Sequence, residues 1–415
     1  MPQDILGALL ACLTALPLAL AQAPVTPLPA TQVPATQGSA TQSPAPQPPA
    51  SLEANVENIL KFGPRVAGTP ANELARTYLE TQLRLLGYET QREPFTYPRF
   101  DDLGSGVTTT AGTVSGLALE GSAGGSVSGA VVNVPEFGTS AGFARVDVKG
   151  KLAVVARGRI PFLEKAENAQ RAGATGLIIL NSEDQPLRGR LTTPLAFPVL
   201  GVPAGAAERL GDGQDVTLNV RVQQTTVQAQ NLIAYKKGVT QPEVLFGAHL
   251  DSVPGAPGAN DNLSGTLTVL ELARRTVNTP LSARAYFVLF DGEENGLLGA
   301  KHFTGRHPAL LGGLKAMLNF DMVGVDVQPL QATGSRALVN AAQAVSGVDL
   351  LEGQESGSDH VPFQQQNVPV LFFHRGLDAN YHQPGDRLLD PQLIRATVAA
   401  GLEVAQAVLA QQGGK

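Results

Sequence analysis

Beyond residue 231 five short apolar runs, NLIAY, VLFGA, AYFVLF, KAMLNF and VPVLFF, alternate with helical patterns such as LTVLELARR. Runs of this length without polar alternation read as strands covered on both faces, and helical connections between them favour parallel pairing. The pattern predicts an α/β structure built around a mixed, largely parallel central sheet flanked by helices. Ahead of it, Ala71, Leu74, Ala75, Tyr78 and Leu79 fall at helical spacing within residues 71–86, and Gly87 stands where a helix would end. A last helix is expected after Asp390 as cap and Pro391 as first helical residue, with Ile394, Val398, Leu402, Ala405 and Leu409 along it. Between about 103 and 226 the grain changes to short Val-, Thr- and Gly-rich strands around one charged stretch, FLEKAENAQRAGA, which marks a second domain.

Residues 5–20, ILGALLACLTALPLAL, have the length of a signal-peptide core and are short for a membrane span, with Ala19-Leu20-Ala21 as a cleavage site. Residues 1–21 therefore read as a signal peptide. Residues 22–50 read as a spacer of Pro, Ala, Thr, Gln and Ser with the echo PATQV, PATQG and SATQS. The expected mature chain is secreted or periplasmic and carries no transmembrane span. Its only Cys, Cys12, would leave with the signal peptide, so neither a disulfide nor a thiolate-ligated metal is available. A net charge of −6 offers no basic surface for nucleic acid, and no obligate protein partner is inferred.

The chemistry is carried by acids and imidazoles placed just after the apolar runs. His249-Leu250-Asp251 closes VLFGA, Asp291-Gly292-Glu293-Glu294 follows AYFVLF, and Asp321 follows KAMLNF. Asp261-Asn262 lies in a Gly-rich loop opening a helix, and Tyr381-His382 follows the last run. Open α/β sheets place their sites at the carboxyl ends of strands, so these segments converge on one sheet edge. Two His and three or more carboxylates, without thiols or a helical HExxH pair, form a hard-cation or zinc donor set. Five or six donors imply two metals sharing a carboxylate. Adjacent side chains diverge, so one of Glu293 and Glu294 can bind metal while the other faces the water as general base. The same donors would accept Mn or Co.

GAHLDSVPGAPGANDNLSG, FDGEENGLLGAKHF, NFDMVG, SGSDHVPF and YHQPGDR resemble, in order, the blocks of the M28 metallopeptidases, the co-catalytic zinc aminopeptidases. KFGPRVAGTPANELARTYLETQLRLLGYE extends the resemblance, so that residues 51–102 and 227–412 would form the two parts of a three-layer zinc-peptidase domain. The resemblance implies two zinc ions per chain: His249 and Asp321 would hold one, Glu294 and His382 the other, and Asp261 would bridge. It implies Glu293 as general base, Asp251 as the partner that orients His249, and Tyr381 as donor to the oxyanion. It also implies a cis peptide after Asp261. The expected activity is removal of N-terminal residues from peptides.

VKGKLAVVARGRIPFLEKAENAQRAGATGLIILN followed by FPVLGVP is similar to a protease-associated domain, so residues 103–226 would be that β-rich insertion, with Ile160 at a position where Cys is frequent. Within the same fold a carboxypeptidase or dipeptidase, a glutaminyl cyclase, or a non-catalytic receptor-like protein are the alternatives; the full ligand set, the inserted domain and Glu293 argue against the last two, whereas a carboxypeptidase or dipeptidase would use the same ligands with a different pocket. His360 is read as a support of the pocket wall, and His302, His307 and His374 as ordinary core or surface residues. The sequon Asn262-Leu263-Ser264 is discounted, because a glycan there would block the site.

Overall fold

The apolar runs become the middle of an eight-stranded sheet ordered Glu89–Asp102, Val222–Tyr235, Ala285–Phe290, Val244–His249, Ala316–Phe320, Val370–His374, Gln331–Gly334, Asp349–Glu352. The computed structural model describes residues 48–354 and 357–411; the expected signal peptide and residues 22–47 of the spacer lie outside them. Strands 285–290, 244–249, 316–320 and 370–374 are mutually parallel, and antiparallel partners flank them on both sides. The sheet is mixed and largely parallel at its centre, as the runs predict.

Both faces are apolar because both are covered. Phe246, Ala248, Phe287 and Leu289 enter a core with the helices Leu52–Leu60, Pro70–Leu85, Gly265–Thr276 and Pro391–Gln411. Their neighbours Leu245, Val288 and Phe290 point the other way, onto the helices Leu298–Arg306, Pro308–Leu311 and His360–Gln365. The three layers follow from this period-two alternation.

Local signals hold at the helix ends. Thr69 caps Pro70–Leu85 by accepting from the Asn72 N–H, and Gly87 takes φ +83°, a left-handed conformation suited to glycine after a helix. Asp390 accepts from the Gln392 N–H at the start of the last helix. That helix is long and apolar enough to cross a membrane by length and composition, yet it buries Ile394, Val398, Val404, Ala405, Val408 and Leu409 in the main core. It is the core helix the spacing predicts.

The strands Glu89–Asp102 and Val222–Tyr235 pair antiparallel along their full lengths, from Glu89 opposite Tyr235 to Asp102 opposite Val222. One end of this ribbon is the edge of the central sheet; at the other the chain passes into a second eight-stranded sheet formed within residues 106–220. The return strand begins at Val222, a few residues ahead of the boundary expected at 227, because the ladder continues past it. The inserted sheet has its own cores, one around Phe143, Ala166, Leu177, Ile179 and Val199, the other around Val107, Leu152, Ile178, Leu200 and Leu218. The stretch FLEKAENAQRAGA forms the helix Phe162–Arg171. Its Lys165 is buried, with Nζ donating to the carbonyls of Phe137, Ala156 and Gly158.

Candidate metal centre

His249 is the last residue of its strand, and Asp321 follows the end of the adjacent strand Ala316–Phe320. Their parallel register brings both to one edge, where His249 Nε2 stands 3.4 Å from Asp321 Oδ1 and 3.3 Å from Asp261 Oδ1. The other oxygen of Asp261, Oδ2, lies 3.1 Å from His382 Nε2, which is itself 3.1 Å from Glu294 Oε2. Two donor groups therefore form, His249–Asp261–Asp321 and Asp261–Glu294–His382, with Asp261 common to both. Glu293 joins His249 and Glu294 in a third, overlapping group. Every residue singled out as a metal donor comes together in this one cluster, and the Asp261–Asn262 peptide is cis, as the resemblance implies.

The cluster suits cations. Asp321 Oδ1 and Glu294 Oε1, one in each group, are buried and accept no hydrogen bond among the described residues. Buried acceptors left this way are costly unless something else satisfies them. Burial would push His249 down, but the carboxylates of Asp321 and Glu293 and the contacts with Asp251 and Asp261 hold it well above the usual imidazole range. Burial also opposes protonation of His382, and its bonds to Asp261 and Glu294 raise it to about 9. Burial would raise Asp261, but the bonds from His249 and His382 keep it below the usual carboxylate range. Glu294 is pushed up to about 6 by burial, and Glu293 well above its ordinary value by burial and by Asp359, Asp321 and Glu294. Carboxylates packed this tightly with imidazoles of raised proton affinity form a site that a dication can neutralise.

Asp251 stands beside the His249 ring and also reaches the Glu293–Glu294 loop. Its carboxylate is 3.6 Å from His249 Nδ1, beyond hydrogen-bond range, and the nearer acceptor is its own main-chain carbonyl at 3.2 Å. The carboxylate accepts the main-chain N–H groups of Glu293 and Glu294, one oxygen each, at 3.2 Å. Asp251 thus orients the Glu293–Glu294 loop. Asp291 is buried against Arg76 and Asn72 and is pushed up to about 6 by burial. Asn262 is buried, its Nδ2 donating to the Phe320 carbonyl and its Oδ1 accepting from Gly265 N–H, so the sequon is spent inside the loop.

A cavity of about 400 Å³ opens over the donors. Glu293, Tyr381, Met322, Phe372, His374 and Leu377 line it with them. Tyr381 stacks on His382 with centroids 3.8 Å apart, and burial raises its hydroxyl above its ordinary value, so it is a donor at neutral pH. His360 is buried and stacks on Phe372 at 4.6 Å, the wall-supporting position expected of it. His374 is no ordinary core residue: it too stacks on Phe372, at 4.9 Å, and lines the cavity, because positions 372 and 374 share a strand face. His302 and His307 flank the buried Glu93 away from the site.

Sequence reasoning missed the residues that hold the loops. Ser358 donates to Asp321 Oδ2 and accepts from Asn319 Nδ2. Arg65 is fully buried and donates to the carbonyls of Leu250, Pro257 and Gly258. Asp386 accepts the N–H groups of Asn260 and Asp261. Only their position inside the blocks GPRVAGTP, SGSDHVPF and YHQPGDR could have pointed to them.

Residues 231–405 match peptidase family M28, and residues 127–210 match the PA domain. Aminopeptidase YwaD of Bacillus subtilis is 31% identical over 353 residues, which cover 79% of this chain and 76% of YwaD. The structure of an aminopeptidase from Aneurinibacillus sp. strain AM-1 superposes with a TM-score of 0.69 at 31% identity, covering 86% of this chain and 94% of that one. BSAP, a zinc aminopeptidase from Bacillus subtilis, gives a TM-score of 0.71 at 27% identity, over 85% and 93%. Fold, donor chemistry and relatives together define a zinc-dependent aminopeptidase, a hydrolase of peptide bonds. The chain belongs to peptidase family M28 and carries a PA domain.

Proposed function

We propose that the chain is an exported aminopeptidase with two zinc ions, in which His249 and Asp321 hold one, Glu294 and His382 the other, and Asp261 is shared. The observation that carries this reading is the division of the Asp261 carboxylate, Oδ1 toward His249 and Oδ2 toward His382, with Asp261 common to both donor groups. When bound, zinc would supply Lewis acidity and make water a nucleophile at neutral pH. Glu293, buried and of raised proton affinity, takes the proton of the attacking water and returns it to the leaving amine. Tyr381, at the cavity wall, donates its hydroxyl to the substrate carbonyl oxygen as charge develops there. The free α-amine of a peptide is drawn to the carboxylate-rich edge of the cavity, which favours cleavage of the first residue. Residues 103–226, as the protease-associated insertion, would shape access to the cleft or contact the substrate, and the apolar run at 5–20 would direct export.

The test is hydrolysis of Leu-, Phe- and Lys-4-nitroanilide by the zinc-loaded chain, each with a free and an acetylated N-terminus, beside a zinc count per chain. Cleavage of the free amines alone with two zinc ions supports the reading. Equal cleavage of acetylated substrates overturns the exo assignment, and a single zinc overturns the shared carboxylate.

A further inference from the structure

Asp386 lies in the same loop as Tyr381 and His382, yet its side chain serves the loop of Asp261. It is buried, at 3% exposure. Oδ1 accepts the Asn260 N–H at 2.7 Å, Oδ2 accepts the Asp261 N–H at 3.0 Å, and its main-chain carbonyl accepts the Ala259 N–H at 3.2 Å. Three successive buried N–H groups leading into the shared carboxylate are thus satisfied by one residue of a remote loop. With each oxygen committed to a different N–H, the carboxylate has no freedom to rotate. Asn260 extends the brace, its Nδ2 donating to Asp378 Oδ2 at 2.7 Å and its Oδ1 accepting from Gly324 N–H. The positive charge of the buried Arg65, which clamps the preceding carbonyls, is countered foremost by Asp386.

We infer that Asp386 is a positioning residue that makes the Asp261 loop and the His382 loop one rigid unit, and so governs the metal group Asp261–Glu294–His382 far more than His249–Asp261–Asp321. The asymmetry follows from what else places each group. His249 and Asp321 stand at the ends of paired central strands and keep their places through the sheet ladder. His382 belongs to no strand or helix; Asp386, four residues on, donates its own N–H to the carbonyl of the neighbouring Gln383 and accepts the Asp261 N–H. Outer residues that orient metal ligands are worth roughly 10–100-fold in metal affinity. This inference rests on the two-zinc reading above.

The experiment titrates zinc into the metal-stripped full chain under a competing chelator, for the wild type, Asp386→Asn and Asp386→Glu. Asparagine keeps the volume but turns an N–H toward an N–H; glutamate keeps the charge opposite Arg65 but moves the oxygens by a methylene, and it serves if the asparagine variant fails to fold. The expected result is two zinc ions in the wild type. In the variants the first zinc is expected to bind within about threefold of wild type and the second roughly 10–100-fold more weakly. In a His382→Ala background, Asp386→Asn should change the remaining zinc by less than about threefold. Unchanged affinities, or equal weakening of both zinc ions, overturn the inference and leave the two-zinc reading standing. Full recovery of both sites by glutamate also overturns it, because charge rather than placement would then be the cause. A wild type that takes up only one zinc overturns the two-zinc reading and the inference with it.

Discussion

Glu293→Gln separates the base from the ligands. Glutamine has the shape of glutamate, and the main-chain N–H of residue 293 would keep its bond to Asp251 Oδ1, so the loop has no reason to move. What disappears is the capacity to take a proton. General-base catalysis contributes about 10²–10⁴-fold, or about 2.7–5.4 kcal/mol of barrier. The residue is only 9% exposed, and burial with the charges of Asp359, Asp321 and Glu294 raises its proton affinity well above that of an ordinary carboxylate. The loss should fall within that range, roughly 10²–10⁴-fold in kcat, with KM changed less than about threefold. The assay is steady-state hydrolysis of Leu-4-nitroanilide beside a zinc count on the same sample. A loss below about tenfold would remove Glu293 from proton transfer. A fallen zinc count would instead make it a ligand, a role its proximity to His249 and Glu294 makes worth excluding.

Other perturbations test the frame around the site. Bonds from Arg284 and Lys315 hold the Glu243 carboxylate down at about 2, so it stabilises the fold above its ordinary value near 4.5 and loses that contribution as pH falls toward 2. Glu243→Gln should cost about 1–2 kcal/mol at neutral pH, after discounting for partial exposure, and nothing below the depressed value; the check is the wild-type minus variant difference in urea unfolding against pH, which should shrink on acidification. Phe246 is fully buried and stacks on Phe287 at 5.3 Å, so Phe246→Ala should cost about 3–5 kcal/mol, read from the denaturant midpoint. Chelation leaves Asp261, Glu293, Glu294 and Asp321 crowded together, and restoring zinc at a hundred times its Kd should return about 2.7 kcal/mol; a Tm indifferent to zinc in calorimetry would argue against a bound cation.

The central strands were legible because each is a continuous apolar run, and the donors because each lies at or just beyond the end of such a run or opens a Gly-rich loop. His249 and Asp321 needed only the parallel register to meet. The supporting residues were not legible for the opposite reason. Asp386 and Asp261 are 125 positions apart, Arg65 and Leu250 185, and no local period announces either contact. The spacing of Asp251 from His249 showed its place beside the ring, but not that its two oxygens also take the main-chain N–H groups of Glu293 and Glu294, 42 and 43 positions away. His374 was passed over because one imidazole on a strand carries no signal until its neighbour Phe372 is seen at the cavity wall.

The ribbon Glu89–Asp102 and Val222–Tyr235 is, in chain terms, a hairpin whose turn has been replaced by residues 103–221. Closing a flexible loop costs about 0.6 kcal/mol for each doubling of length, so an unstructured segment of that size would cost roughly 3 kcal/mol more to close than a four-residue turn. An insertion that folds by itself with its two ends adjacent removes that cost before the hairpin zips. Such a graft point makes the inserted module replaceable: a short turn, or another small domain with neighbouring termini, joined at Asp102 and Val222 should leave the central sheet and its ladder intact.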